Sequence, residues 1–84
     1  VDLLEQQRTL RTKEEFAAFV HRLREDLLSR PEDWENPTLD RFLEAMASWV
    51  AASHGYFRNI GEPYPEDINW SFFAGVLLAA RIYE

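Results

Sequence analysis

Residues 70–83, WSFFAGVLLAARIY, constrain the fold more than any other segment. At about 100° per residue, Trp70, Phe73, Ala74 and Leu77 fall on one side of a helix. Phe72, Val76, Ala79 and Tyr83 fall on another, with Leu78 and Ile82 between them. A helix that is apolar all round has no face to offer water. It must be the central helix of a bundle or part of a subunit interface. The segment also contains Ser71 and Arg81, and it falls short of the roughly 20 apolar residues of a membrane span. No membrane partner is expected. Gly75 sits mid-helix, where it costs about 1 kcal/mol relative to Ala. A close helix crossing would explain it, which makes Gly75 a candidate interface residue.

The preceding chain supplies what such a helix needs around it. Thr12-Lys13-Glu14-Glu15 reads as a capping box: the Thr hydroxyl accepts from the amide three residues on, and Glu15 reaches back to the cap amide. Phe16, Phe19, Val20, Leu23 and Leu27 follow at spacings of three and four, predicting a helix over 13–29. Pro31 stops it, because it disfavours helical geometry at Arg30. After the connection 30–38, Asn36-Pro37 reads as a helix start, with Asn as cap and Pro at the first helical position. Leu39, Phe42, Leu43, Met46, Trp49, Val50, Ser53, Phe57 and Ile60 mark one face of a long helix over 37–59. Gly55 is read as tolerated within it, and Gly61 as its terminator.

The other side of that long helix carries Asp40, Glu44, Ala47, Ala51, Gly55 and Arg58. The small row Ala47-Ala51-Gly55 would let a second backbone approach, so it is a candidate oligomer interface. Residues 61–69 form a proline-rich loop, and Asp67 or Asn69 caps the last helix. Residues 1–11 have weak periodicity and form an arm or a short helix. The fold class is therefore all-α: a compact bundle of three main helices, with a short fourth at the N-terminus as an option. Eighty-four residues make one helical domain, 1–84.

Charge is unevenly placed. Residues 1–30 hold six basic and six acidic side chains, whereas residues 31–84 hold three basic and nine acidic ones, so the net −6 lies in the second part. Such a chain lacks the basic surface that displaces counterions from phosphates, and no nucleic-acid partner is expected. An acidic surface of this size also suits plain solubility. With no cysteine there is neither a disulfide framework nor a thiolate zinc site. No basic-then-apolar leader precedes Thr12, and a cytoplasmic protein is the default expectation.

Chemistry-bearing patterns are sparse. The histidines, His21 and His54, lie on different helices, and His21 with Glu25 reads as a surface pair. No metal site and no cofactor is expected. Ser53 and His54 are adjacent, which on a helix points them apart. Glu32, Asp33 and Glu35 are loop carboxylates, without the pocket that acid–base catalysis requires. Catalysis is not expected. His54, Tyr56, Arg58, Arg81 and Tyr83 would form a polar spot if the ends of the last two helices met. Trp34 and Tyr64 differ from the other aromatics because both sit in acidic loops. They read either as plugs of a small bundle or as anchors rimmed by charge.

Trp34-Glu35-Asn36, Phe42-Leu43-Glu44-Ala45-Met46, Trp49, Gly55-Tyr56, Gly61-Glu62-Pro63 and the closing Ala79-Ala80-Arg81-Ile82-Tyr83-Glu84 resemble a family of small bacterial domains of unknown function, over residues 12–84. The resemblance implies a single-domain protein ending at Glu84 and no particular activity. In size, class and charge the chain is also similar to immunity proteins that neutralise nuclease toxins. Their Tyr-Tyr-Pro motif is absent, and Pro63-Tyr64-Pro65 does not match it. The functional expectation is a non-enzymatic interaction module. Its partner would be a basic protein held by Asp33, Trp34, Glu35, Asp40, Glu44, Glu62, Tyr64, Glu66 and Asp67. The alternatives are an immunity-like protein and a homodimer built on Ala47, Ala51, Gly55 or Gly75.

Overall fold

The computed structural model describes residues 2–83, and Val1 and the Glu84 of the closing block lie outside the described residues. Five α-helices follow in order: α1 Leu3–Thr9, α2 Lys13–Ser29, α3 Leu39–Ala51, α4 Ser53–Asn59 and α5 Trp70–Ala80. A 3₁₀ turn, Pro31–Asp33, links α2 to α3. No strand occurs among the described residues. The all-helical class stands, and the architecture is finer-grained than three main helices.

α5 is the helix that the others surround. It packs against α1, α2 and α3. Ala74, Val76, Leu78 and Ala80 are buried along it. The core joins Ala74 and Leu78 to Leu10, Phe19, Leu23 and Trp34. Of the two readings of an all-apolar helix, central element and subunit interface, the first is realised within one chain, although α5 keeps exposed apolar residues as well.

Local rules explain α2 directly. The capping box is present, with Glu15 N–H donating to Thr12 Oγ1 at 3.1 Å and Thr12 N–H donating to Glu15 Oε1 at 3.1 Å. The N-terminal segment resolves into α1, capped by Asp2, whose Oδ1 accepts from Glu5 N–H at 2.8 Å. α1 is held on α5 by Gln7. Its side-chain Nε2 donates to Ser71 O at 2.8 Å, and Ser71 Oγ donates to Gln7 O at 2.8 Å. Gly75 lies beneath the same Gln7: a Cβ there would come within 3.2 Å of Gln7 Nε2. The close crossing expected at Gly75 is met by the α1–α5 contact inside the chain.

Two expectations about the middle of the chain are corrected. The long helix 37–59 is two helices, broken at Ala52, whose N–H bonds back to Ser48 O and Trp49 O. Ser53 is fully buried just past the break, and its Oγ donates to Val50 O at 2.7 Å. That bond draws the side chain back onto the preceding turn. The break displaces Gly55 from the row Ala47-Ala51-Gly55. Ala47 and Ala51 are exposed, and a Cβ on Gly55 would meet nothing within 4 Å. No element of the described chain flanks this row. The start signal also shifts by two residues: Thr38 caps α3, with Arg41 N–H donating to its Oγ1 at 3.4 Å. Gly61, at φ +74°, does terminate α4, with Gly61 N–H bonding Arg58 O and Glu62 N–H bonding Phe57 O. Asn69, not Asp67, caps α5.

Phe19 is 0% exposed at the centre of this packing. Replacing it with Ala should cost about 3–5 kcal/mol of unfolding free energy. Urea denaturation followed by tryptophan emission measures this directly.

Candidate functional site

Asn36, passed over as a local cap, closes the fold instead. Its Nδ2 donates to Ala80 O at 3.0 Å and to Tyr83 O at 2.8 Å, and its backbone N–H donates to Arg81 O at 3.0 Å. Both side-chain partners are carbonyls, so the amide must present its NH₂ group. The last carbonyls of a helix have no partner within it. Here a side chain more than forty residues away satisfies one of them and fixes the turn that follows.

Asp26 is the second half of this clasp. It is 9% exposed on the inner side of α2. Trp34 Nε1–H donates to its Oδ2 at 2.8 Å, Arg30 Nη2 donates to its Oδ1 at 2.6 Å, and Arg81 Nη1 stands 3.6 Å from Oδ2. Burial pushes the Asp26 pKa up. The Arg30 hydrogen bond, the Trp34 hydrogen bond and the charges of Arg30 and Arg81 together outweigh it, and the pKa lies below the usual 3.8. The two sequence blocks, Trp34-Glu35-Asn36 and Ala79-Ala80-Arg81-Ile82-Tyr83, thus meet each other and Asp26. Asp26 was missed at first sight, although its position three residues after Leu23 and seven after Phe19 puts it on the core side of α2.

The candidate binding residues do not form one surface. Trp34 is a core residue, 7% exposed and stacked on Phe42 at a centroid distance of 5.9 Å. It is therefore withdrawn as an exposed anchor. Tyr64 is half-buried. Its hydroxyl lies 2.9 Å from Ser53 Oγ, and its ring stacks on His54 at 3.8 Å. It pins the α4–α5 loop to α4, the plug reading of a loop aromatic. Asp33 pairs with Arg30 at 3.8 Å. Glu35 and Glu44 line one shallow depression with Arg41 and Tyr83, and Asp40 lies one turn before Glu44 on α3. Glu62, Glu66 and Asp67 are exposed in the α4–α5 loop.

What the structure does bring together is a groove beside α5. It encloses about 540 Å³ between α1, α4 and α5. Its walls include Leu4, Trp49, Tyr56, Phe57, Ile60 and Ile82, with Glu62, Arg81 and Tyr83 among the polar members. Tyr56, Arg81 and Tyr83 of the expected polar spot line this groove. His54 stacks on Tyr64 instead, and Arg58 is not part of the lining. Volume and lining match ordinary ligand grooves, which are largely apolar with a few polar groups. A smaller apolar groove of about 290 Å³ lies on the other side of α5, between α2 and the start of α3.

The fold and its clasp thus define a small all-helical domain closed by an internal Asn-to-carbonyl contact. The chain belongs to a family of unknown function, DUF7660, whose model matches residues 12–84. α1 precedes the matched residues, yet it covers Gly75 and supplies Leu4 and Gln7 to the larger groove. No curated protein and no solved structure matches the chain. No helix of the described residues is long and apolar enough to cross a membrane.

The lowered Asp26 pKa has a definite sign. The carboxylate contributes stability above its unfolded value, and that contribution is lost as pH falls through the lower folded value, below pH 3.8. Asp26→Asn should lose about 1–3 kcal/mol at pH 7, the scale of hydrogen bonds to a charged group. The gap between the variant and the parent should close as pH falls below 3.8. Urea unfolding at a series of pH values checks both statements.

Proposed function

We propose that this protein is a non-catalytic binding module whose α1–α4–α5 groove receives apolar side chains from a basic protein partner. The groove carries the proposal: Leu4, Tyr56, Ile60 and Ile82 are all exposed around one concavity. Contiguous exposed apolar surface with a polar rim is the usual mark of an interaction site. Glu62 lies on that rim, and Glu66 and Asp67 follow in the same loop. With a net charge of −6, these carboxylates would steer and orient a cationic partner, while apolar contact would supply most of the affinity. The acidic residues Glu35, Asp40 and Glu44 would extend the same field along α3. A toxin-neutralising role is one form of this proposal, with a basic nuclease as the partner.

Trp49 lines the groove and reports on its occupancy. Basic amphipathic peptides should change tryptophan emission on titration, and the change should weaken as salt is raised. Ile60→Asp should weaken that binding at least about tenfold, as expected for losing an apolar anchor at a hot spot. The substitution is at an exposed position and should leave the fold intact. Binding unaffected by Ile60→Asp, or indifferent to salt, would sink this reading.

A further inference from the structure

α1 is attached to the domain more loosely than its place beside α5 suggests. None of its seven residues is buried. A helix of two turns is not stable by itself in water, so α1 depends on its seat. Hollows flank it toward α4 and toward α2. The first is the 540 Å³ groove, which Leu4 and Gln7 help to wall. The second is a polar depression of about 550 Å³, lined by Asp2, Leu3 and Leu4 with Arg22, Glu25 and Ser29. Between them α1 meets the domain along a strip of half-buried residues, Leu3, Gln6 and Gln7.

Two polar contacts latch that strip. One is the exchange of hydrogen bonds between Gln7 and Ser71, both at 2.8 Å. In the other, Gln6 Oε1 accepts from Arg22 Nη1 at 2.7 Å. The first pair is only partly buried and the second is exposed, so water can replace both partners when α1 lifts, at small net cost. The chain changes character at the next residue. Leu10, in extended backbone, is 3% exposed within the core. Just after it, Arg11 N–H and Thr12 N–H both donate to Glu15 Oε1, at 2.8 and 3.1 Å. The Thr9–Leu10 junction is therefore a hinge, with a lightly held helix before it and an anchored chain after it. The residues that match the family model, 12–84, lie wholly beyond this hinge.

We infer that α1 is a strap on the larger groove: it lifts as a unit about the Thr9–Leu10 junction while residues 10–83 stay folded, and its seating closes the groove around an occupant. Lifting takes Leu4 and Gln7 out of the groove wall and uncovers Ser71 and Gly75 on α5. The groove then becomes an open cleft, and seating restores its wall. An apolar side chain in the groove touches Leu4 only when the strap is seated, so occupancy and seating favour each other by the same factor. That coupling rests on the groove being a partner site, whereas the lifting itself does not.

Native-state hydrogen exchange of the full chain, read amide by amide by NMR, tests the strap with no partner present. The amides of Gln6 to Thr9 should exchange at least about a hundredfold faster than the most protected α5 amides, yet at least about fivefold slower than an unstructured chain. Low urea should barely change their exchange, because lifting exposes little surface, while α5 exchange rises steeply. Gln7→Ala should speed exchange in α1 about three- to tenfold and leave α5 unchanged. A saturating basic amphipathic peptide should slow α1 exchange at least about threefold. Amides of α1 that open only together with α5, that show no protection, or whose response to Gln7→Ala is shared by α5, overturn the inference. So does a bound peptide that leaves α1 exchange unchanged or speeds it. A peptide that fails to bind counts against the partner site alone, and exchange in the free chain then decides the strap.

Discussion

A single buried carboxylate organises this molecule. Asp26 lies where α2 turns into the 3₁₀ segment, and it collects Arg30, the Trp34 indole and Arg81 around its two oxygens. A charge removed from water needs partners that replace its hydration, and three different parts of the chain provide them. Arg30 holds the end of α2, Trp34 brings in the α2–α3 connection, and Arg81 brings in the end of α5. Asn36 then seals the junction by bonding the carbonyls around Arg81. Removing Asp26 leaves the buried Trp34 indole N–H without its partner, and removing Arg30 takes the hydrogen bond from Asp26 Oδ1. The clasp therefore specifies where α5 ends and how α2 enters α3.

The consequence reaches the surface. With α5 fixed at the centre, α1, α2 and α3 pack against it and leave part of its apolar perimeter uncovered. Two largely apolar grooves remain beside it. One is the 540 Å³ groove walled by α1 and α4, and the other is the 290 Å³ groove between α2 and α3. Both gaps follow from the same mismatch between a helix that is apolar all round and the number of helices that surround it. Small domains bury a limited fraction of their surface, and here part of the apolar remainder lines these two grooves. The proposed function rests on the larger one.

Much of this was legible from residue patterns. The Thr12–Glu15 box and the apolar stripe of α2 obey local rules, and tertiary context does not override them. The apolar perimeter of residues 70–83 announced a central helix. Three features escaped because their causes are non-local. Asn36 has the side chain of a good cap, but that side chain binds carbonyls on the far side of the core. The break at Ala52 has no proline or glycine to announce it. It follows from Ser53 bonding both Val50 O and the Tyr64 hydroxyl, which is held in place by the loop beyond α4. Trp34 stayed open between plug and charge-rimmed anchor because its sequence neighbours are acidic, and the partner that draws its indole N–H inward is Asp26, on another element. The acidic residues themselves were easy to find, but their division among separate patches depends on which way each loop folds.

The central claim is that the Trp34 indole and Asp26 form part of the structural framework, present whenever the chain is folded. Hydrogen exchange of the Trp34 Nε1–H under native conditions tests it most directly, with the amides of α5 as the internal reference. The account predicts that this indole proton exchanges only when the whole domain unfolds, with the same free energy of opening as the most protected α5 amides. Exchange at the rate of an exposed indole, while α5 stays protected, would contradict it.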